Sequence, residues 1–296
     1  MRAAMTRDRP AAIFVNEGAG SARSGHVRRT VELARVALDA DLHVTDTRSP
    51  DELRGWLEER VAPYRTVIIA GGDGSLGIAF NVLYGRDASI GYIPAGFGNA
   101  TAHLLQLPRQ PEALADVLAN GTARSVDLVR VDGRLALFAG AGWDAVVAGR
   151  YASAGAKRLR GWASAVAGSI GELMRRRAVR VEADGALVHE GPMELLVAST
   201  TPFYGRGLRV NPGARPDRGR ITMRVYTGPI HRLAAEAVRW AAAATPNAAP
   251  VHATSAVITA LDARGIPVQA DGDLIGERAE WRLEVAPAAA RLIGRW

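Results

Sequence analysis

The run Val67-Ile68-Ile69-Ala70 leads without a break into Gly71-Gly72-Asp73-Gly74-Ser75, and a helical pattern follows from Leu76 to Leu83. The end of a buried strand, opening onto a helix start, is where α/β proteins hold phosphate. Glycine lets the backbone approach an anion closely and take up positive φ without a Cβ clash. Asp73 adds a negative charge at the same spot. A carboxylate beside a phosphate is unfavourable unless a cation bridges them, so the turn points to a metal–nucleotide complex more than to a bare anion.

Two further strand–loop units flank this one. Ala11 to Asn16 runs into a loop, Glu17 to Gly25, and Val27, Val31, Ala34 and Leu38 follow at helical spacing. Leu42 to Thr45 reads as a short strand, and Pro50-Asp51-Glu52 opens a helix with acids in its first turn, where the dipole favours them. Ser89 to Pro94 is the next strand. It meets Ala95-Gly96-Phe97-Gly98-Asn99, and a helix follows from Ala100 to Leu107. The alternation predicts a parallel sheet covered on both faces, with the loops near Gly18, Gly71 and Gly96 on one edge. One such loop is ordinary turn punctuation; three on one edge, one of them with an acid, suggest a nucleotide cleft.

From about residue 125 the texture changes. Ser125 to Val131 and Arg134 to Ala139 flank Asp132-Gly133; Val179 to Ala183 and Ala186 to His189 flank Asp184-Gly185. Both read as hairpins. Met193 to Thr200, Arg220 to Thr227, Ala256 to Leu261, Ile266 to Ala270 and Glu280 to Val285 are further strand candidates, with helices at Ala156 to Arg177 and Leu233 to Ala244. The second part is therefore mainly antiparallel β with inserted helices.

The length, 296 residues, suggests about two domains. The net charge of +7 is carried by arginine, and Lys157 is the only lysine. This excludes a Walker-A loop, which needs a lysine beside its glycines. The charge suits an anionic surface. The arginines do not cluster with aromatics as in nucleic-acid motifs, so no nucleic-acid partner is expected. The absence of cysteine rules out disulfides, thiolate metal sites and a cysteine nucleophile. Met1 to Pro10 is too short and polar for a signal peptide. Trp240 to Leu261, the longest uncharged run, contains two prolines and is a poor membrane span. The expected location is cytoplasmic, with peripheral contact at the inner membrane face.

Gly71-Gly72-Asp73-Gly74-Ser75 resembles the GGDG(T/S) signature of the diacylglycerol kinase catalytic-domain superfamily, which includes bacterial lipid kinases, sphingosine kinases and ceramide kinases, with NAD kinases and phosphofructokinases as distant relatives. Asn16 ends the first strand where the family has Asn-Pro, with Glu17 in place of the proline. Pro94 to Ala102 resembles P-x-G-[TS]-x-N-[DA]-x-A; Gly142-Trp143-Asp144-Ala145 resembles G-[FL]-D-A. Asn211 to Gly219 resembles P-x-A-x-P-x-D-G, and Asp271-Gly272-Asp273 the late D-G-E motif. The resemblance implies an N-terminal parallel-sheet α/β nucleotide-binding domain, taken as 1–124. It also implies a C-terminal antiparallel β-sandwich-like lipid-substrate domain, 125–296, with a cleft between them and a last segment that packs back near the first domain.

It further implies site residues. Asp73 would meet the ATP phosphates through Mg2+, with Gly71, Gly72 and Gly74 around it. Ser75 would bond the nucleotide or cap the following helix. Asn16 would bond phosphate or ribose, or serve only as a strand-end turn residue. A family threonine that contacts nucleotide matches Thr45 or Thr47, with Thr45 preferred. Gly96, Gly98 and Asn99 would form a second wall, where Phe97 replaces a small hydroxyl residue and Ala100 an aspartate common in bacterial members. Asp144 would lie in the cleft. Asp273 would be the general base, one methylene shorter than the usual glutamate, although Asp271-Gly272 is also a plain turn signal. Asp217 would belong to a second Mg2+ site, where Arg218 takes the place of a second acid. The helix from Ala156 to Arg177, basic at both ends with Trp162, Val166, Ile170, Leu173 and Met174 between, suits an interfacial helix on anionic lipid, or an amphipathic helix packed into its own domain.

The leading expectation is an ATP- and Mg2+-dependent kinase that phosphorylates a diacylglycerol-like or sphingoid lipid. The alternative, motivated by Glu17, Phe97, Ala100, Arg218 and Asp273, is a catalytically weak nucleotide- or lipid-binding member of the same fold. A soluble-substrate kinase such as an NAD kinase is a third option. A homodimer is left open.

Overall fold

Six apolar or small residues with no polar alternation make β1 (Ala11–Asn16) a strand buried along its whole length, as a central parallel strand must be. In the computed structural model, which describes residues 11–153, 159–173 and 176–296, β1 pairs in parallel with β2 (Asp41–Thr45) and β3 (Thr66–Gly71), and β3 with β4 (Ser89–Pro94). The sheet order is β2-β1-β3-β4. Three helices connect these strands: α1 (Gly25–Leu38), α2 (Pro50–Glu58) and α3 (Asp73–Leu83). Ser24 and Ser49 cap α1 and α2 by accepting the Val27 and Glu52 N–H groups, and Pro50 begins α2 where its missing N–H costs nothing.

The chain divides into two compact units. Met1–Gly96, Leu105–Ser125 and Ala290–Trp296 form the first; Phe97–Leu104 and Val126–Ala289 form the second. α4 (Ala100–Leu104), in the second, is shorter than the expected helix to Leu107. Gln106 takes a left-handed backbone (φ 49), and Leu107 precedes Pro108, which disfavours the helical region. α5 (Pro111–Asn120), which the sequence reading missed, packs with α1 in the first unit. Its Leu114 and Leu118 join Val27, Val31, Ile13 and Ile68 in one core.

The second unit takes in β5 (Thr122–Val131) from Val126 onward, β6 (Arg134–Ala136), β7 (Phe138–Gly142), α6 (Trp143–Ser153), α7 (Leu159–Leu173), β8 (Arg177–Ala183), β9 (Ala186–Met193) and β10 (Leu195–Ser199). Then come β11 (Phe203–Tyr204), β12 (Leu208–Arg209), β13 (Ile221–Tyr226), α8 (Ile230–Ala241), β14 (Val251–Ala253), β15 (Ser255–Ala260), β16 (Ile266–Ala270) and β17 (Asp273–Arg278). β18 (Glu280–Gly294) begins in this unit, and its last residues belong to the first, where Leu292 lies parallel to Ile90. Three hairpins turn on Asp-Gly pairs. Asp132, Asp184 and Asp271 have φ of 43, 48 and 50°, and Gly133, Gly185 and Gly272 have 92, 79 and 89°, the positive pair that a two-residue hairpin turn requires.

An antiparallel sheet β14-β13-β10-β7-β16-β17 and the antiparallel set β18-β15-β8-β9 enclose a core of Val179, Val181, Leu196, Met223, Ile258, Val268 and Trp281, among others. This is the expected sandwich-like arrangement. The buried Trp281 ring donates its Nε1–H to the Ile266 carbonyl at 2.7 Å, so one side chain ties β18 to β16.

Two helices differ from the sequence reading. α6 was not expected: its Ala- and Val-rich residues carry no cap and little amphipathic contrast. α7 buries Gly161, Ala165 and Ser169, with the Trp143 Nε1–H donating to the Ser169 carbonyl at 3.0 Å. Of the predicted apolar stripe, Val166 is half-buried and Ile170 is 41% exposed. Residues 154–158 and 174–175, with Lys157, Arg158, Met174 and Arg175, lie outside the described residues. Among the described residues no helix is long and apolar enough to cross a membrane.

Removing the Trp281 ring leaves a core cavity and an unpaired Ile266 carbonyl. Trp281→Ala is expected to destabilise the full chain by about 3–5 kcal/mol, checked by urea unfolding.

Candidate functional site

In the first unit the carboxyl ends of β1, β3 and β4 converge, and their loops join main chain to main chain. The Glu17 N–H donates to Thr45 O at 2.8 Å, Ser21 N–H to Ala95 O at 2.7 Å, and Ala95 N–H to Gly71 O at 2.7 Å. The contacts are too close for side chains. A Cβ on Gly18 would stand 2.5 Å from Thr47 O, one on Gly20 2.5 Å from Ala95 O, and one on Gly72 3.3 Å from the Gly96 Cα. The result is a cradle of main chain at the edge of the sheet. Asp73, half-buried, opens α3, and Gly72 occupies the cap position. The first-turn N–H groups of a helix have no helical acceptor and carry the positive end of the dipole.

The expected residues fall into place unevenly. Asn16 is buried, and its side-chain oxygen accepts the Gly18 N–H at 3.0 Å, so it shapes the first loop. Ser75 does not cap α3: it lies inside the first turn, buried, with its Cβ and Oγ 2.8 Å from where a Gly71 Cβ would stand. Asn16 and Ser75 line one small pocket with Phe14, Trp56 and Ile69. Thr47 donates to Glu52 Oε2 at 2.5 Å and accepts the Ser49 N–H at 3.1 Å. Among the described residues the Thr45 hydroxyl has no such partner. Glu17 is paired with Arg23 at 3.2 Å and Arg28 at 3.8 Å, and Arg23 also pairs with Asp46, fastening the first loop beside β2.

This cradle fits a nucleotide phosphate. Its glycines keep side chains out of the close approaches, and Asp73 is one carboxylate that would hold a cation there. Magnesium bound with substrate phosphates needs only one or two protein carboxylates. Among the described residues no three His, Asp or Glu gather as a metal site of their own.

In the second unit the centre is Asp144, in the first turn of α6. Gly142 (φ 91) turns the chain out of β7, and a Cβ there would stand 2.5 Å from Glu194 O. A Cβ on Gly140 would overlap the Asp144 carboxylate and crowd the Tyr204 hydroxyl, so glycine at 140 makes the room both groups occupy. The Tyr204 O–H donates to Asp144 Oδ2. Gln269 Nε2 donates to the same oxygen at 3.2 Å and to the Tyr204 hydroxyl oxygen. Asp144 Oδ1 is buried without a partner. Burial pushes the carboxyl from its usual 3.8 up to about 6, against the opposing pull of the Tyr204 and Gln269 hydrogen bonds. Burial also raises the Tyr204 phenol.

Asp271 and Asp273 part company. Asp271 is buried, and its carboxylate accepts the Leu137 and Phe138 N–H groups at 3.0 and 3.1 Å, which makes it the anchor of the turn. Asp273, the expected base, is half-exposed, and Arg134 Nη2 holds its Oδ2 at 3.1 Å. Asp217 has a side chain 67% exposed, with Arg218 Nε 4.0 Å away. Its loop is held by Asp127, which accepts the Gly219 N–H at 2.6 Å. Asn99 takes a left-handed backbone (φ 48) just before α4, near Gly98 in sequence. Phe97 lies against Tyr151 (ring centroids 5.7 Å) and beneath the Arg206 guanidinium, 4.5 Å from its ring centre. Tyr204, Gln269, Gly140 and Arg134 were not read from sequence. The one visible signal was Gln269, a polar residue in the otherwise apolar run Ile266 to Ala270.

Residues 10–131 match the model of the diacylglycerol kinase catalytic domain. Over that stretch, less than half of its length, the chain is similar in sequence to diacylglycerol kinase catalytic domains. A diacylglycerol kinase of Mycobacterium tuberculosis is 32% identical over 167 residues, covering 52% of each chain, so the chain spans about half the length of the curated relatives it matches. The fold is that of a diacylglycerol kinase structure from Bacillus anthracis, which aligns over 97% of both chains with a TM-score of 0.71 at 17% identity. An NAD kinase from Archaeoglobus fulgidus, solved in complex with ATP, aligns over 97% of this chain and 94% of its own at 16% identity, with a TM-score of 0.55.

Two substitutions test this geometry. Gly20→Ala forces Ala95 O away and is expected to cost about 1–3 kcal/mol, with faster hydrogen exchange at Ser21 and Ala95. For Asp144 the folded-state value lies above the unfolded one. Its ionisation therefore lowers stability as pH rises from about 4 to about 6, and the penalty persists above that. Asp144→Asn, which cannot ionise, is expected to gain about 2–3 kcal/mol on the wild type across this window. Melting curves at pH 4 and pH 7 check it; a difference independent of pH would contradict the buried-carboxyl account.

Proposed function

We propose that this protein is an ATP- and Mg2+-dependent lipid kinase that phosphorylates the hydroxyl of a diacylglycerol-like or sphingoid lipid. The observation that carries the reading is the main-chain cradle around Gly18, Gly20, Gly71 and Gly72 with Asp73 at its mouth. The match of residues 10–131 to the diacylglycerol kinase catalytic domain and the similarity to a diacylglycerol kinase support it. In this reading the loops of the first unit bind the triphosphate, aided by Gly96, Gly98 and Asn99. Thr45 offers its hydroxyl, and Asp73 holds the magnesium, which neutralises charge on the phosphates. A lipid hydroxyl attacks the γ-phosphorus, the bond to the β-phosphate oxygen breaks and ADP leaves, while the hydroxyl proton passes to a carboxylate of the second unit. Asp144 and Asp273 are the groups for that step.

Peripheral contact with anionic lipid is part of the same proposal. Ile170 on α7, and Ile230 and Val238 beside Arg232 and Arg239 on α8, offer exposed apolar and basic groups of the kind interfacial helices use. The Arg134 pair on Asp273 favours the second reading, a catalytically weak binding member of the fold, because the carboxylate expected to accept the proton already has a cationic partner.

Transfer of labelled phosphate from ATP to diacylglycerol or sphingosine in anionic vesicles separates these readings. The wild type is expected to turn over, and Asp73→Ala to lose activity about 100-fold or more. Saturable ATP binding with no turnover on any lipid selects the weak-binder reading. Equal activity in Asp73→Ala removes Asp73 from the mechanism.

A further inference from the structure

Gln269 is a buried amide in an apolar strand, and every polar atom of its side chain is committed. Its Oε1 accepts the Gly272 N–H at 2.7 Å. Its Nε2 donates to Asp144 Oδ2 at 3.2 Å and to the Tyr204 hydroxyl oxygen. One carboxamide therefore joins the first turn of α6 to the turn that carries Asp271 and Asp273. The orientation of the amide is fixed by chemistry: flipped, it would set an NH2 group against the Gly272 N–H and an oxygen against a carboxylate. Tyr204 completes the arrangement. Its O–H, spent on Asp144, needs an acceptor role filled at its oxygen, and Gln269 fills it.

We propose that Gln269, with Tyr204, is a positioning residue that locks Asp144 and the Asp271–Asp273 turn into one constellation and so sets where the proton-accepting carboxylates stand. This rests on the kinase reading for its catalytic consequence, but not for the lock itself. Neither residue touches the reacting atoms; both act through Asp144 and the turn. The groups facing Asp144 are Tyr204 from β11, Gln269 from β16 and the N–H groups at the start of its own helix. The charge of Asp271 is felt at the Tyr204 phenol. No cation is among them.

Two variants separate positioning from plain structural support. Gln269→Leu removes all three of its side-chain hydrogen bonds at nearly constant volume. Gln269→Glu is conditional. Protonated, its carboxylic acid offers one O–H donor and one C=O acceptor, like the amide; ionised, it faces Asp144 as a like charge. In lipid phosphorylation, Gln269→Leu is expected to lower kcat about 10- to 100-fold with KM for ATP within about twofold. Gln269→Glu is expected to be poor at pH 8 and to recover toward wild type as the pH falls to 6. An equal loss for Gln269→Glu at every pH, or a rise in KM with kcat unchanged, would overturn the proposal. If the wild type phosphorylates no lipid, the kinase reading fails alone, and the lock is read without activity. The Asp144 carboxyl carbon signal, identified by its loss in Asp144→Asn, is expected to titrate at higher pH in Gln269→Leu than in wild type. An unchanged titration would sink the lock.

Discussion

Three loops of the first unit are bonded to one another through main-chain groups, and nearly everything about the site depends on that closeness. Where Ser21 donates to Ala95 O and Ala95 to Gly71 O, the backbones run too near for any Cβ between them. Glycine at 18 and 20, where a Cβ would come within 2.5 Å of a carbonyl oxygen, is thus a steric requirement. The same closeness concentrates N–H groups at the end of a parallel sheet, beside a helix start, where the dipole adds to their positive potential. The packing thus leaves close-set main chain with Asp73 in the first turn of α3 beside it.

The second unit solves a different problem, how to keep a carboxylate in a core. Gly140 supplies space, Gly142 turns β7 into α6, and Tyr204 and Gln269 supply donors. The donors do not fully offset burial, which is why the Asp144 carboxyl stays well above its usual range. A group held this way is costly to the fold at neutral pH.

Sequence reading succeeded where the signal was local. The strand–glycine–helix punctuation around Gly71 and the Asp-Gly hairpins at Asp132, Asp184 and Asp271 are properties of four to six adjacent residues, and each appears where its chemistry says. It failed where the meaning lies in distance along the chain. Gln269 meets Asp144 across 125 positions and Tyr204 across 65, and no pattern around any of the three announces the meeting. α6 has no cap and little amphipathic contrast, so periodicity had nothing to report. On α7 the buried residues include the small Gly161, Ala165 and Ser169, which carry little apolar signal, and the Ser169 carbonyl meets the Trp143 ring N–H of α6.

The two carboxylates read as catalytic in the second unit are held in opposite ways. Asp144 is buried, approached only by neutral donors, with one oxygen unpartnered. Asp273 is half-exposed and gripped by a guanidinium. Burial favours the protonated form of Asp144 against the pull of its donors, whereas Asp273 is held chiefly by an ion pair. The Asp273 carboxylate meets Arg134, a residue 139 positions earlier in the chain. Through Gly272 and Gln269 the position of its turn stays tied to the Asp144 carboxylate.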